Sequence, residues 1–237
     1  MLNLNSRIEI ASASCVGFAM TSLRGGTTKQ SLRHLFINLT LIRIFFFFLL
    51  FAGFESQAQL LDSVALSKEH EYSDLIEAIK NPEKVYKLNL HKKKLKKIPE
   101  EVFTFTNLQA LNLSKNKLTE IPGDIGKLTK LQVLDVSANN IDSVPKEIGN
   151  LINIKKLILN QNIISSLPPD IGNLTKMTFL DMWGNNIQEL PEEIAKLQNT
   201  LKVLDMRVIS IKEAMQEEIE KQLPNTKIFF SKACNCD

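Results

Sequence analysis

Two consecutive stretches decide the fold: LQALNLSKNKLTEIPGDIGKLTK at 108–130 and LQVLDVSANNIDSVPKEIGNLIN at 131–153. They match almost position by position over 23 residues, in the pattern L-x-x-L-x-L-x-x-N-x-L-x-x-L-P-x-x-I-G-x-L-x-x. Further units of this period begin at Val85, Ile154 and Met177, and an altered unit begins at Leu201 after one extra residue. A fixed period of this length is typical of a stacked repeat architecture.

The apolar positions of one unit indicate a shared interior. Leu111 and Leu113 are two residues apart, so they point to the same side of a short strand. Leu118, Ile125 and Leu128 fill the same interior from the return path. One unit cannot enclose so many apolar groups, so we expect neighbouring units to stack into one continuous core.

An asparagine recurs at the turn after each central strand. It stands at Asn116, Asn139, Asn162 and Asn185. A buried bend leaves backbone groups unpaired, and an amide side chain can both donate to and accept from the neighbouring coil. We therefore predict a structural role for these four residues.

The pattern resembles the leucine-rich repeat family, specifically its 23-residue class with Leu-Pro and Ile-Gly in the second half, and is similar to exported bacterial members. The resemblance covers residues 85–211. It implies an α/β solenoid, a short curved horseshoe with parallel strands on its concave face. It also implies the family's usual role in binding other proteins.

Four regions follow from this reading: a signal region at 1–58, an N-terminal cap at 59–84, repeats at 85–211, and a C-terminal cap with a Cys-x-Cys tail at 212–237. The front cap is predicted as a helix with Ser73 at its N-cap, and with Leu75, Ile76 and Ile79 covering the first turn of the solenoid. The back cap is predicted as a helix with Ser210 and Glu213 at capping-box spacing, followed by a last strand in TKIFFS.

The N-terminal region has the features of an export signal. Arg43 precedes the apolar run IFFFFLLFAGF, Ile44 to Phe54, and small residues follow at Ser56 and Ala58. Eleven apolar residues make about 16 Å of helix, about half of a bilayer core, which favours a signal cleaved after Ala58 over an uncleaved anchor. Residues 1–40 are expected to be untranslated or removed. We predict export from a bacterial cell to the periplasm, the surface or the medium, with membrane contact only through this segment.

Charge and cysteine content limit the function further. Lys and Arg exceed Asp and Glu five to two before Gln59, and 24 of each follow, so a nucleic-acid partner is not expected. HKKKLKK, from His91 to Lys97, is a local exception that fits a solvated turn or an anionic docking patch. Cys234 and Cys236 fit tail thiols or a link to something outside the chain.

Trp183, the only tryptophan, stands where other units carry small or polar residues. Exposed positions in the strands lie between and beside the paired leucines, so Phe179 and Trp183 would share one surface with apolar and charged neighbours. An aromatic anchor with a polar rim is typical of a protein-binding hot spot. The predicted partner site comprises Val133, Asp135, Lys156, Ile158, Phe179, Asp181, Trp183, Val203, Asp205 and Arg207.

Catalysis is not predicted. The aspartates of this surface have no histidine among them, and the Ile-Gly glycines recur at the repeat period instead of forming a phosphate loop. We expect no cofactor, no metal and no small-molecule substrate. The sequence favours a non-enzymatic module that binds a protein partner around Trp183. Two alternatives stay open: an envelope component attached through Cys234 and Cys236, and a signalling scaffold resembling intracellular leucine-rich repeat proteins that bind small GTPases.

Overall fold

The computed structural model describes residues 60–209 and 211–231. The predicted signal region and Cys15, Cys234 and Cys236 lie outside these described residues. Within them, no helix combines the length and the apolar character that crossing a bilayer requires.

Eight parallel strands form one sheet in sequence order, β1 to β8. Each central strand is three or four residues long, and its middle residue is buried while its first residue faces solvent. The strands are β1 Glu71–Tyr72, β2 Lys87–Asn89, β3 Ala110–Asn112, β4 Val133–Asp135, β5 Lys156–Ile158, β6 Phe179–Asp181, β7 Val203–Met206 and β8 Lys227–Phe230. This sheet confirms the predicted α/β leucine-rich repeat solenoid.

The return path of each repeat is a short 3-10 helix. In the five full repeats these helices are η2 Glu100–Thr104, η3 Gly123–Lys127, η4 Lys146–Asn150, η5 Pro169–Asn173 and η6 Glu192–Leu197, while η1 Pro82–Lys84 precedes the first repeat. The buried apolar residues of η2 to η6 and the strand leucines form one apolar cluster that runs from Ala78 to Leu223. The predicted continuous core is therefore present.

The Ile-Gly glycines allow the 3-10 helices to stack closely. A Cβ atom added to Gly126 would lie 2.9 Å from the Asn150 side chain, and one added to Gly149 would lie 2.8 Å from the Asp170 backbone. At Gly172 it would lie 2.5 Å from the backbone oxygen of Glu193. Real Cβ atoms do not approach so closely, so these glycines are structural, as predicted.

The asparagines form the predicted ladder between repeats. Asn139 Nδ2 donates to the backbone oxygens of Leu113 at 3.1 Å and Val136 at 2.9 Å, and its Oδ1 accepts from Leu118 N at 3.0 Å. Asn116, Asn162 and Asn185 repeat this pattern. All four are buried, and each connects its own turn to the turn of the preceding repeat.

The N-terminal cap differs from its prediction. Two helices precede β2: α1 Ser63–Lys68 and α2 Leu75–Ile79. The N-cap of α2 is Asp74, not Ser73, because the Asp74 carboxylate accepts a hydrogen bond from Ile76 N. Ile76 and Ile79 are exposed at 72% and 44%, so the prediction that they cover the first repeat was wrong. Leu75 packs against the core, as predicted, together with Ala78.

The C-terminal cap is a helix, α3 Glu213–Gln222, followed by β8, which confirms the predicted helix and strand. Lys212 occupies the N-cap without a side-chain hydrogen bond, so the predicted capping box does not start this helix. Ser210 lies outside the described residues. β8 pairs with β7 and extends the sheet beyond the last repeat.

Candidate functional site

The side of the sheet that faces away from the core is called here the strand face. Its first column aligns Val133, Lys156, Phe179 and Val203 as register partners on β4 to β7. Its second column aligns Asp135, Ile158, Asp181 and Asp205. Trp183 and Arg207 follow two residues after the second column. The structure therefore places eight of the ten predicted residues on four adjacent strands and the other two just after β6 and β7.

The apolar members of this surface are half-buried. Ile158, Phe179, Trp183 and Val203 all retain partial exposure, whereas the fully buried leucines of the same strands retain almost none. Strands in a sheet lie about 4.8 Å apart, so side chains in one column pack against each other along the sheet. The apolar surface is therefore held in place by its neighbours while part of it stays accessible.

Phe229 is a further member that the sequence prediction missed. It pairs with Asp205 in the register of β7 and β8 and so extends the second column. The Lys227 ammonium lies 4.8 Å from the Phe229 ring centroid, and the Arg207 guanidinium lies 5.7 Å from it. The predicted strand in TKIFFS, one repeat length after Asp205, was the signal that could have placed Phe229 here.

Aspartates of the second column have a structural role at the ends of their strands. Oδ1 of Asp135 accepts from Ser137 N at 2.9 Å, and Oδ1 of Asp181 accepts from Trp183 N at 3.1 Å. Asn112 makes the same contact with Ser114 N at 2.9 Å. This bond between a side-chain oxygen and the amide two residues later is an Asx turn, which bends the chain as the strand ends.

Asp205 does not form the exposed rim that the sequence predicted. It is buried, with 9% of its surface exposed, and it forms a two-oxygen pair with Arg207. Arg207 Nη2 lies 2.6 Å from Asp205 Oδ2, and Nε lies 3.0 Å from Oδ1. The bonds to Asp205 raise the pKa of Arg207, which therefore stays charged.

The surroundings of Asp181 have opposing effects on its pKa, and the net effect raises it. Burial raises the pKa of its carboxyl group above 3.8, although the hydrogen bonds from Asn160 Nδ2, at 2.5 Å, and Trp183 N oppose that rise. Asp205 adds repulsion. Across residues 60–209 and 211–231, no three His, Cys, Asp or Glu side chains are grouped so that they could hold a metal ion.

The N-terminal segment covers part of the strand face, which the sequence did not indicate. Gln109 and Gln132, directly before β3 and β4, are buried at 0% and 2%. Gln109 Oε1 accepts from Leu61 N at 2.9 Å, and Gln132 Nε2 donates to Leu61 O at 2.7 Å. The two amides thus clamp one backbone residue ahead of α1.

A groove of about 260 Å³ lies between α1 and the strand face. Leu66 of α1 lines one side of it, and Val133 and Lys156 line the other. Two of the predicted partner-binding residues therefore lie beside the N-terminal cap. Phe179, Trp183 and Phe229 stand on strands further along the sheet, and none of them lines this groove.

Comparison with known proteins agrees with this geometry. Residues 83–141 and 129–187 match the family model described as leucine rich repeat. A comparison with curated protein sequences gives no match. The solenoid is of the leucine-rich repeat class, and residues 83–187 match that family.

Three solved structures show the range of similar proteins. A leucine-rich repeat protein of Leptospira interrogans is 31% identical with a TM-score of 0.52, over 69% of this chain and 53% of that one. The leucine-rich repeat ectodomain of the receptor kinase GASSHO1/SCHENGEN3 from Arabidopsis thaliana, in complex with Casparian strip integrity factor 2, is 26% identical with a TM-score of 0.55. Internalin C2 of Listeria monocytogenes is 23% identical with a TM-score of 0.58, over 69% of each chain.

The coverage of these structures differs. The match to the plant ectodomain spans 70% of this chain but 20% of that chain. The chain thus spans about half the length of the Leptospira protein and a fifth of the plant ectodomain. The family is typically one of interaction modules, and the fold supports that general role here.

Proposed function

We propose that this protein is a non-enzymatic, exported interaction module that binds a protein partner on the strand face around Trp183. The observation that carries the proposal is a surplus of aromatic side chains. Phe179, Trp183 and Phe229 stand on β6, just after β6 and on β8, where the preceding repeat places Lys156, Asn160 and Asp205, respectively. The fold forms without aromatic residues at these positions, so their presence requires another explanation.

The charged neighbours fit a polar rim around such an anchor. Lys156 is the register partner of Phe179, while Arg207 and Lys227 lie near the Phe229 ring. Aromatic residues and arginine are enriched among the residues that dominate binding energy at protein interfaces. Cations near an accessible ring favour a partner that combines an apolar side chain with nearby carboxylates.

Two further observations support this role. The plant ectodomain was solved in complex with another factor, so a solenoid of this class can hold a partner. The export-signal pattern of residues 1–58 and the similarity to an ectodomain both favour a location outside the cytoplasm.

A pull-down with a fold-compatible double variant tests the proposal. Phe179→Lys introduces the residue that β5 carries at the same position, and Trp183→Ser introduces the residue of the two turns at Ser114 and Ser137. The serine can donate to Asp181 as Ser137 Oγ donates to Asp135 at 2.6 Å. The immobilised variant and the wild type are each exposed to envelope extract and to extract of contacting cells.

A control variant separates loss of the site from loss of apolar surface in general. Ile152 and Ile163 are exposed at 53% and 49% and lie outside the strands. Ile152→Asp with Ile163→Asp should retain the partner that Phe179→Lys with Trp183→Ser loses. A partner captured equally by all three proteins, each shown to be folded by circular dichroism, would contradict binding at Trp183.

A further inference from the structure

Five lysines lie together on the turns that follow β2 and β3. This basic edge consists of Lys92, Lys94, Lys96, Lys115 and Lys117, all exposed. Lys115 and Lys117 follow Lys92 and Lys94 by one repeat of 23 residues, so the stacked turns place lysine beside lysine. The contact between the turns is direct: Lys92 N donates to Ser114 O at 3.0 Å, and Lys117 N donates to Leu95 O at 2.8 Å.

These five lysines have no acidic partner among the described residues. The ion pairs there involve Lys87, Lys127, Arg207 and Lys221. Two other lysines of the same run are left out of the basic edge: Lys93 shares a cleft with Asp74, and Lys97 stands one repeat before Glu120. Because basic and acidic residues balance from Gln59 onward, the edge is a local excess of charge.

The backbone at Lys94 is unfavourable for lysine. Lys94 has a φ angle of 59°, in the left-handed region. Among the described residues, a left-handed backbone at this position occurs only in the first turn; later turns have Lys117, Asn140, Ile163 and Asn186 there without it. Glycine or asparagine adopts this conformation at lower cost. Lys94 therefore brings charge to this position against the conformational preference, as happens at functional sites. The left-handed backbone at Lys92 and Lys115, in contrast, recurs at Ala138, Gln161 and Gly184 and belongs to the repeat turn.

We propose that the basic edge docks on a membrane surface of anionic lipids, in addition to the membrane contact that the sequence predicts for the signal segment. Clustered lysines on an exposed edge are attracted to phosphate headgroups, and the attraction adds up over the lysines near the surface. The edge belongs to the first two repeats, and only five residues separate the apolar run that ends at Phe54 from Leu60. An export signal engages the membrane until it is cleaved, so these repeats are the part of the solenoid closest along the chain to lipid during export.

Sedimentation with lipid vesicles tests this docking. The test uses Gln59–Asp237, which forms a compact unit of its own. Vesicles contain phosphatidylcholine alone or with about one third phosphatidylglycerol. The wild type should sediment with the anionic vesicles but not with the neutral ones, and high salt should release it because salt screens exposed charges.

The variant for this test uses residues that later repeats already carry. Lys92→Gln and Lys115→Gln introduce the residue found at Gln161, and Lys94→Asn and Lys117→Asn introduce the residue found at Asn140 and Asn186. The four changes should reduce binding to anionic vesicles by at least about tenfold. The control replaces four exposed lysines elsewhere, Lys146, Lys155, Lys196 and Lys202, with Gln. It has the same net charge and should retain most of the binding.

Several outcomes would overturn the docking proposal. These are wild-type protein that ignores anionic vesicles, equal losses in the variant and the control, and binding to soluble polyphosphate without binding to vesicles. The variant keeps Phe179 and Trp183, so its partner capture reports on the strand face separately. A failure of one proposal is therefore distinguishable from a failure of the other.

Discussion

Gln132 Nε2 donates a hydrogen bond of 2.7 Å to the backbone oxygen of Leu61, 71 residues earlier in the chain. The same nitrogen lies 2.6 Å from Gln109 Oε1, which also accepts from Leu61 N. Two buried side chains of the repeats thus replace the strand partners that Leu61 lacks. This clamp places α1 beside the strand face, where Leu66 is buried.

Replacing Gln132 with Ala should release the segment at 60–68. Leu61 O would lose its donor, and an unpaired buried group costs about 1–3 kcal/mol. Amide exchange at Leu61 and protease cleavage within α1 should accelerate, while the repeats keep their protection. Lys155→Ala is the matched control, because Lys155 occupies the same position one repeat later and is exposed. Equal protection of α1 in Gln132→Ala and the wild type would show that the clamp does not hold the segment.

Asn139→Ala should destabilise the whole solenoid. The change removes the donated bonds to Leu113 O, Val136 O and Ser137 O and the acceptor for Leu118 N. We expect a loss of about 3 kcal/mol in the free energy of unfolding, since several buried backbone groups lose their partners together. Urea unfolding followed by circular dichroism measures it. Asn140→Ala, at the exposed neighbouring position, should change the free energy by less than about 0.5 kcal/mol.

Gly172→Ala should destabilise the protein more than the addition of a single methyl group suggests. The new Cβ would meet the backbone oxygen of Glu193 at 2.5 Å, so η5 and η6 would have to separate. Overpacking of this kind costs about 1–3 kcal/mol. Gly123→Ala is the comparison, because its Cβ would meet only the flexible Glu147 side chain, at 3.2 Å. Thermal unfolding that ranks the two variants equally would show that the stacked helices move apart freely.

The repeat positions of the fold could be predicted because each unit repeats the same physical constraint. The paired leucines, the turn asparagines and the Ile-Gly glycines each contact the next repeat in the same way. The period therefore determined the strand register, including Lys156 beside Phe179. The described structure adds no strand or helix that interrupts this order within the repeats.

The caps could not be predicted as well, since their residues occur once and have no periodic neighbour. The clamp between Gln109 and Leu61 joins positions 48 residues apart, and no local pattern signals it. Ile76 and Ile79 fit an amphipathic helix, yet only Ala78 of α2 is fully buried. The columns of the candidate site followed from the period, whereas the pairing of Asp205 with Arg207 depended on side-chain geometry.

Asp181→Asn should stabilise the protein at neutral pH but not in acid. Burial raises the pKa of Asp181 in the folded state above 3.8, so folding favours the protonated form. A group with a raised acid pKa contributes stability below its unfolded pKa and loses it as the pH rises through the folded pKa. At about pH 7 the wild type therefore carries an unfavourable buried charge, which the amide lacks, whereas at about pH 3 both side chains are neutral.

The asparagine fits this position, because Asn89 and Asn112 occupy it in the first two repeats and accept the same bond from the amide two residues later. At neutral pH the change also removes the repulsion from Asp205. Urea unfolding of both proteins at the two pH values should show a higher midpoint for Asp181→Asn at neutral pH and coinciding midpoints in acid. A gain that is the same at both pH values would show that it comes from packing, and a loss at neutral pH would show that the carboxylate's bonds with Asn160 and Trp183 outweigh its burial.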